Sequence, residues 1–248
     1  DIRSQFEAVQ INTTPKGGEI LLKEIDELED TIKSHFDDIE GIEGKQRNIL
    51  QQWDNFESSL EKLTQWCRET EGVFREQQLQ SSLHEKVEQM DRYKIQRDSI
   101  LQKEKEIDAF TDAAHSLLNN SGAERIKTLA MQIANRYQLL QVLSKEVVNR
   151  WVNLVDDHQA YQDKYNEVDL WLQPIEKQLE MALKDEPSKA ANILQLLATE
   201  KDQAESLYAS LNAAGEKALP ETSTQGREKI RKDLRDIRDR WDKLDEGI

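Results

Sequence analysis

The stretch NEVDLWLQPIE, Asn166–Glu176, sets an indole, Trp171, between two leucines in an otherwise acidic surrounding. The stretch EKLTQWCRETE, Glu61–Glu71, sets Trp66 in the same way, 105 residues earlier. Around Trp66 the series Trp53, Phe56, Leu60, Leu63, Cys67, Thr70, Phe74 steps by alternating threes and fours, the spacing of one buried stripe on a helix. Displaced by 105, the same series reads His158, Tyr161, Tyr165, Val168, Leu172, Ile175, Leu179. Since 105 is fifteen heptads, the stripe keeps its phase from one copy to the next, and each tryptophan sits one place before a stripe position, on its flank.

A second set of matches lies further along. Ile126, Ala130, Ile133, Tyr137 and Leu140 correspond, 104 residues on, to Ile230, Leu234, Ile237, Trp241 and Leu244. Leu21, Ile25, Leu28 and Ile32 form a third copy, 105 residues before Ile126. The repeat therefore has a first helix, a middle helix and a last helix, with the last helix present three times.

Composition agrees with helices throughout. The 248 residues hold only 9 glycines and 4 prolines, 33% are charged, and Leu, Glu, Lys, Gln, Asp and Ala dominate. Regular apolar spacing separates the chain from disordered sequences of similar charge. A net charge of −15 argues against binding nucleic acid or an anionic membrane, which both require clustered Lys and Arg. No apolar run is long enough to span a bilayer, and the single cysteine, Cys67, fits a reducing compartment.

Breakers divide each copy. Pro15, Gly17 and Gly18 precede the first of the last helices, and NNSG at 119–122 and PETSTQG at 220–226 precede the others. Pro187 separates first from middle helix in the second copy, with Ser188 available as a local cap, and REQQLQSS at 75–82 holds the matching break. No breaker lies between a last helix and the next first helix. From Leu21 to Phe74 the stripe runs through Ile39, Ile42, Ile49 and Trp53, and a second junction runs through Val147, Trp151, Leu154 and His158. Two helices of unusual length are thus expected. The fold class follows: all-α, tandem three-helix bundles joined by continuous helices into a rod, rising about 50 Å per repeat. Residues 1–48 read as the end of one repeat, 49–155 and 156–248 as complete ones.

A period near 105, a Trp in the first helix and IRDRWDKL at Ile237–Leu244 in the third together resemble spectrin repeats, over essentially the whole chain. Trp66 and Trp171 match the first-helix Trp and Trp241 the third-helix Trp, while Tyr137 keeps aromaticity in the other copy. The stretches WDNFESSLEKLTQWC and YQDKYNEVDLWLQPIE are similar in style to the giant nesprins. That resemblance implies a cytoplasmic scaffold on the outer nuclear membrane, linked to actin and docking actin-organising partners such as a formin.

The other candidates have ordinary readings. Cys67 takes the place of Leu172 in the stripe and reads as a small buried hydrophobe. His35, His84, His115 and His158 are too dispersed for a metal motif, and neither HExxH nor CxxC occurs. If His158 is buried, mild acid should weaken its junction. Carboxylates are too common for any pair to signal catalysis. Asp236 with Arg240 and Asp239 with Lys243 stand at i, i+4 and are expected to pair on a solvated face. Between Arg227 and Arg240 lie seven basic and four acidic residues, a local excess of positive charge. Gly41 and Gly44, inside the first long helix, read as a hinge, or as the place where a neighbouring loop comes close. Ile2, Phe6 and Val9 have helical spacing, and the stripe from Leu21 to Ile39 needs cover, from another chain or from residues 1–12 folding back.

The expectation is thus a monomeric rod and not an enzyme: no catalytic, cofactor-binding or metal site, and no direct contact with nucleic acid or membrane. Trp53, Trp66, Trp151, Trp171, Trp241 and Tyr137 are its structural core, Gly41 and Gly44 its hinge, and its partners are cytoskeletal or actin-regulating proteins. The competing readings are a dimeric filament-binding coiled coil, a membrane-binding curved bundle, and a spectrin-, dystrophin- or plakin-type membrane-skeleton rod.

Overall fold

The computed structural model describes residues 2–248, and among these every regular element is a helix. They are α1 (Ile2–Gln10), α2 (Pro15–Arg75), α3 (Leu83–Gln102), α4 (Glu104–Ser121), α5 (Arg125–Ala182), α6 (Pro187–Ala218) and α7 (Thr224–Gly247). Helices α2 and α5, at 61 and 58 residues, are the two long junction helices that the unbroken stripes require. Pro174 lies inside α5 and denies a donor to the carbonyl of Leu170, an exposed residue.

The chain divides into two compact units, each with its own core. One comprises the residues up to Leu63 with Asp108–Ile133. Here α1 folds back on the start of α2: Phe6 is buried, and Arg3 pairs with Asp26 at 2.5 Å and Glu29 at 2.8 Å. Phe56 stacks on Phe110 with centroids 5.2 Å apart, Trp53 meets the Phe56 edge, and Ile126 and Ile133 close the core. The cover supplied by α1 ends early, because residues 31–48 of α2 are exposed on every side. Ile32, Phe36, Ile39 and Ile42 stand among them.

The other unit comprises Thr64–Ile107 with Ala134–Ile248. Its stripes are buried where the heptad steps place them. Cys67, Thr70 and Phe74 are buried in one copy; His158, Tyr161, Val168, Leu172, Ile175 and Leu179 are buried in the other. Burial also raises the pKa of the Cys67 thiol, as expected of a small core residue.

The aromatic period marker is a pair. Trp66 lies 6.5 Å from Tyr137, and at the equivalent place Trp171 lies 5.4 Å from Trp241. Tyr137 and Trp241 are buried, whereas Trp66 and Trp171 are half-buried, as their flank positions dictate. Lysines cover aromatic faces: Lys103 Nζ sits 5.5 Å from the Trp66 ring and Lys201 Nζ 5.4 Å from Trp241. Beside each pair runs the same ion pair, Arg136 with Glu71 at 3.0 Å and Arg240 with Glu176 at 2.7 Å.

Four local expectations are corrected. Pro15, Gly17 and Gly18 do not precede α2 but form its first turn, where proline's missing donor is harmless. Ser188 does not cap α6: Glu186 is the N-cap without a side-chain bond, and Pro187 starts the helix. Asp236 does not pair with Arg240, which reaches across to Asp169 and Glu176 on α5, and Asp239 makes no ion pair with Lys243. The middle helix of the first copy is interrupted at Lys103, whose N–H bonds back three residues to the Ile100 carbonyl. That carbonyl also accepts the Tyr137 hydroxyl at 3.1 Å.

Gly41 and Gly44 lie in unbroken helix, and a Cβ at either would meet nothing within 4 Å. No loop approaches them, so close packing is not their reason. Two glycines in uncovered helix cost about 1 kcal/mol each relative to alanine. Lower amide-exchange protection over residues 38–46 than over the flanking turns of α2 is expected, and Gly41→Ala with Gly44→Ala should close the gap. Equal protection in the parent would count against a hinge.

The aromatic pair gives a second expectation. Trp241→Ala should cost about 3–5 kcal/mol, read from urea unfolding. Trp66→Ala or Trp171→Ala should cost less, since part of each indole is already in water.

Candidate functional site: a buried joint between two loops

The segment between α2 and α3 is fastened to the segment between α6 and α7, some 140 residues further along the chain, and all of the residues involved belong to one unit. The local chemistry is that of helix starts. Ser82 caps α3, accepting from the Glu85 N–H while the Glu85 carboxylate accepts in return, a capping box. Ser223 caps α7 through the Gly226 N–H. These two capped ends meet. The Ser223 N–H donates to the Gln80 carbonyl at 3.1 Å, and the Ser81 and Ser223 hydroxyls lie 2.6 Å apart.

Gly226 makes the approach possible. A Cβ there would fall 2.2 Å from the Ser81 carbonyl oxygen, a backbone atom with no freedom to move aside. Around this contact, α5 supplies a bracket. Gln77 Oε1 accepts from Trp151 Nε1 at 3.1 Å and from Arg150 at 3.2 Å, and Arg150 also pairs with Glu221 at 2.8 Å. Trp151 is buried against Tyr93, which in turn faces Phe74.

Two titratable groups are sealed under the joint. Lys86 is only 1% exposed, and its ammonium donates to Thr222 Oγ1 at 2.9 Å. The Thr222 hydroxyl, itself buried, donates to the Ala218 carbonyl. Burial lowers the Lys86 pKa to about 8, with Glu221 and Asp157 pulling it upward. His158 is 5% exposed, its Nδ1 has no hydrogen-bond partner, and it meets the edge of Tyr161. Burial lowers its pKa to about 4, and the Lys86 and Lys229 ammoniums push the same way. Tyr161 donates to Asp233 at 3.1 Å, and burial holds its hydroxyl protonated well above the usual range.

Of the residues singled out from sequence, the structure brings Trp151 and His158 to this joint. Trp53, Trp66, Trp171, Trp241 and Tyr137 are in or beside helix-bundle cores, and Gly41 and Gly44 are on exposed helix. His35, His84 and His115 are exposed. Among the described residues no cluster of His, Cys, Asp and Glu is arranged to hold a metal, and no helix is long and apolar enough to cross a membrane. Sequence reasoning missed Gln77, Ser81, Lys86, Thr222 and Gly226. Their signal is slight: two helix caps and a glycine three places after Ser223. The arrangement ties two distant segments with backbone, hydroxyl and charged contacts over a buried interior.

Comparison with known proteins matches residues 51–150 to the spectrin repeat. Over all 248 residues the chain is 77% identical to Muscle-specific protein 300 kDa of Drosophila melanogaster. The chain belongs to the spectrin-repeat family. It covers 2% of that relative's length, so it corresponds to a small segment of a very long protein. The first of the two fastened segments lies inside the matched repeat, and the second lies beyond it.

The sealed histidine sets a pH dependence. Its folded pKa, about 4, lies below the ordinary value of 6.5. The unfolded chain therefore binds a proton more readily between those values, and stability is complete above pH 6.5 and falls as pH drops towards 4. At pH 5.5 the parent should have lost about 1 kcal/mol through this group. His158→Leu should remove that part of the loss, measured as the difference between the two urea-unfolding curves at pH 7.5 and 5.5. Parallel behaviour of parent and variant would show that His158 is not the group.

Proposed function

We propose that this chain is a non-catalytic mechanical spacer and docking scaffold within a nesprin-type array of spectrin repeats. The observation that carries the proposal is the joint. Helix α5 passes from one repeat to the next without a break, and the Gln80–Ser223 and Lys86–Thr222 bonds tie those two repeats a second time. A chain held twice at a junction passes tension from one bundle to the next and resists bending there. The relative's name places it in muscle, where a long load-bearing protein has an evident use.

On this reading the parent protein sits on the cytoplasmic side of the outer nuclear membrane and links it to actin. The repeats set the distance between the two, and their side surfaces recruit actin-organising proteins. The acidic balance of 49 carboxylates against 34 Lys and Arg keeps such an array soluble and self-repelling.

The joint is where the mechanical reading is tested. Gly226→Ala forces a Cβ onto the Ser81 carbonyl and should separate the loops while leaving the bundle cores filled. Pulled from its ends in an optical trap, the parent should unfold its linked repeats in one step, and the Gly226→Ala chain in two steps at lower force. Single-step unfolding in both would remove the joint from the mechanism. Recruitment of the fluorescently tagged chain to the nuclear rim of muscle cells, when placed in its parent protein, tests the location.

A further inference from the structure

The basic side chains of α7 divide according to what they touch. Arg240 meets Asp169 and Glu176, Lys229 meets Asp233, and Arg231 meets its neighbour Glu228. Arg235 and Arg238 make no ion pair within 4.0 Å among the described residues. Partners are at hand, because Asp239 and Asp242 stand four residues on from each. The two arginines instead line a groove between α6 and α7.

That groove has a definite construction. Arg231, Arg235 and Arg238 line it from α7, and Leu219 and Leu234 give it apolar surface, with Glu216 among its α6 residues. Gly215 lets the two helices close up beneath it, since a Cβ there would come within 2.8 Å of Leu234 Cδ1. From Arg231 to Arg238 is about 10 Å along the axis, two turns of helix. Three guanidiniums over leucines, in a chain of net charge −15, are a local inversion of the surface.

We infer that this groove is a docking site for an acidic, amphipathic helix of another protein. Leucines one turn apart on that helix would rest on Leu219 and Leu234. Glutamates flanking them would take bidentate bonds from Arg235 and Arg238, a geometry guanidinium favours and a lysine does not reproduce. Two turns of groove leave room for anchors one turn apart on such a helix. A lipid surface fits less well, because Asp233, Asp236 and Asp239 share its helix and Glu216 lines the groove. The inference rests on the scaffold reading and gives it one partner of stated chemistry. Its failure would leave the force measurement on the joint untouched, so the two stand or fall separately.

The test is fluorescence anisotropy with the whole 248-residue chain. The probe is a labelled helical peptide of about 15 residues, with leucines one turn apart and glutamates beside them. The chain should bind this peptide, more weakly as salt rises. A glutamine-for-glutamate peptide should bind at least about tenfold more weakly, and so should the acidic peptide to the Arg235→Glu, Arg238→Glu double variant. Lys232→Glu, a single charge reversal on the same helix but outside the groove, should alter affinity by no more than about twofold. Circular dichroism melting of each variant confirms that the bundle persists, and Arg235→Gln with Arg238→Gln replaces the double variant if it does not. No binding of the acidic peptide, equal binding of the glutamine peptide, or an affinity indifferent to residues 235 and 238 would overturn the inference. So would preferential binding of phosphatidylserine vesicles over the peptide.

Discussion

The constraint on which the rest depends is the phase of one apolar stripe along α5. For 58 residues this helix presents Ile126, Ile133, Leu140, Val147, Leu154, Tyr161, Val168, Ile175 and Ala182 at steps of seven, and every one of them is buried. A break anywhere in that run would rotate the second half away from the residues it packs against. The long helix is therefore not an ornament of the fold. It carries the stripe in one phase from the last helix of one copy into the first helix of the next. Pro174 shows how strongly packing holds the helix: a residue that breaks most helices is tolerated between Leu172 and Ile175, both buried.

Residues that lie on the stripe were legible in the sequence, because burial on a helix has a period and the period is visible. Phe56, Leu63, Cys67 and Phe74 declared themselves by spacing, as did the two long helices. Residues that act off the stripe were not. Arg240 has carboxylates within reach both along its own helix and on α5, and only the packing of Trp171 on Trp241 decides for Asp169 and Glu176. The interruption at Lys103 has no proline or glycine to announce it. Nor does spacing tell a covered stripe from an uncovered one. Ile32, Ile39 and Ile42 continue the heptads of Leu21 and Ile25, yet α1 stops short of them.

The joint was hidden for a different reason. Its contacts join residues about 140 apart, and its residues are serine, threonine, glutamine and glycine, whose types recur all over a charged helical chain. Only Lys86 is out of place. An ammonium buried to 1% exposure loses hydration that one hydroxyl does not replace, so its net contribution to stability is small or unfavourable. What it does supply is selectivity. A lysine in this position leaves a buried, unpaired charge unless Thr222 arrives opposite it, so the loops are held in one register against any other. His158, with Nδ1 unpartnered nearby, adds to the penalty for admitting charge there.

Division of labour along α7 follows from the same geometry. One side of this helix carries Ile230, Ile237, Trp241 and Leu244 into the core, and Arg240 on its flank is committed to α5. A helix has about 3.6 residues per turn, so the arginines at 231, 235 and 238 fall together on another side. There α6 comes close because Gly215 has no side chain, and the two helices leave a groove where a flatter pair would leave a ridge. A surface of this sort has no motif. It is made by one missing Cβ on one helix and three charges in helical phase on the next. In a structural array whose repeats share a core pattern, such departures on the flanks are where one repeat can differ from another in what it holds.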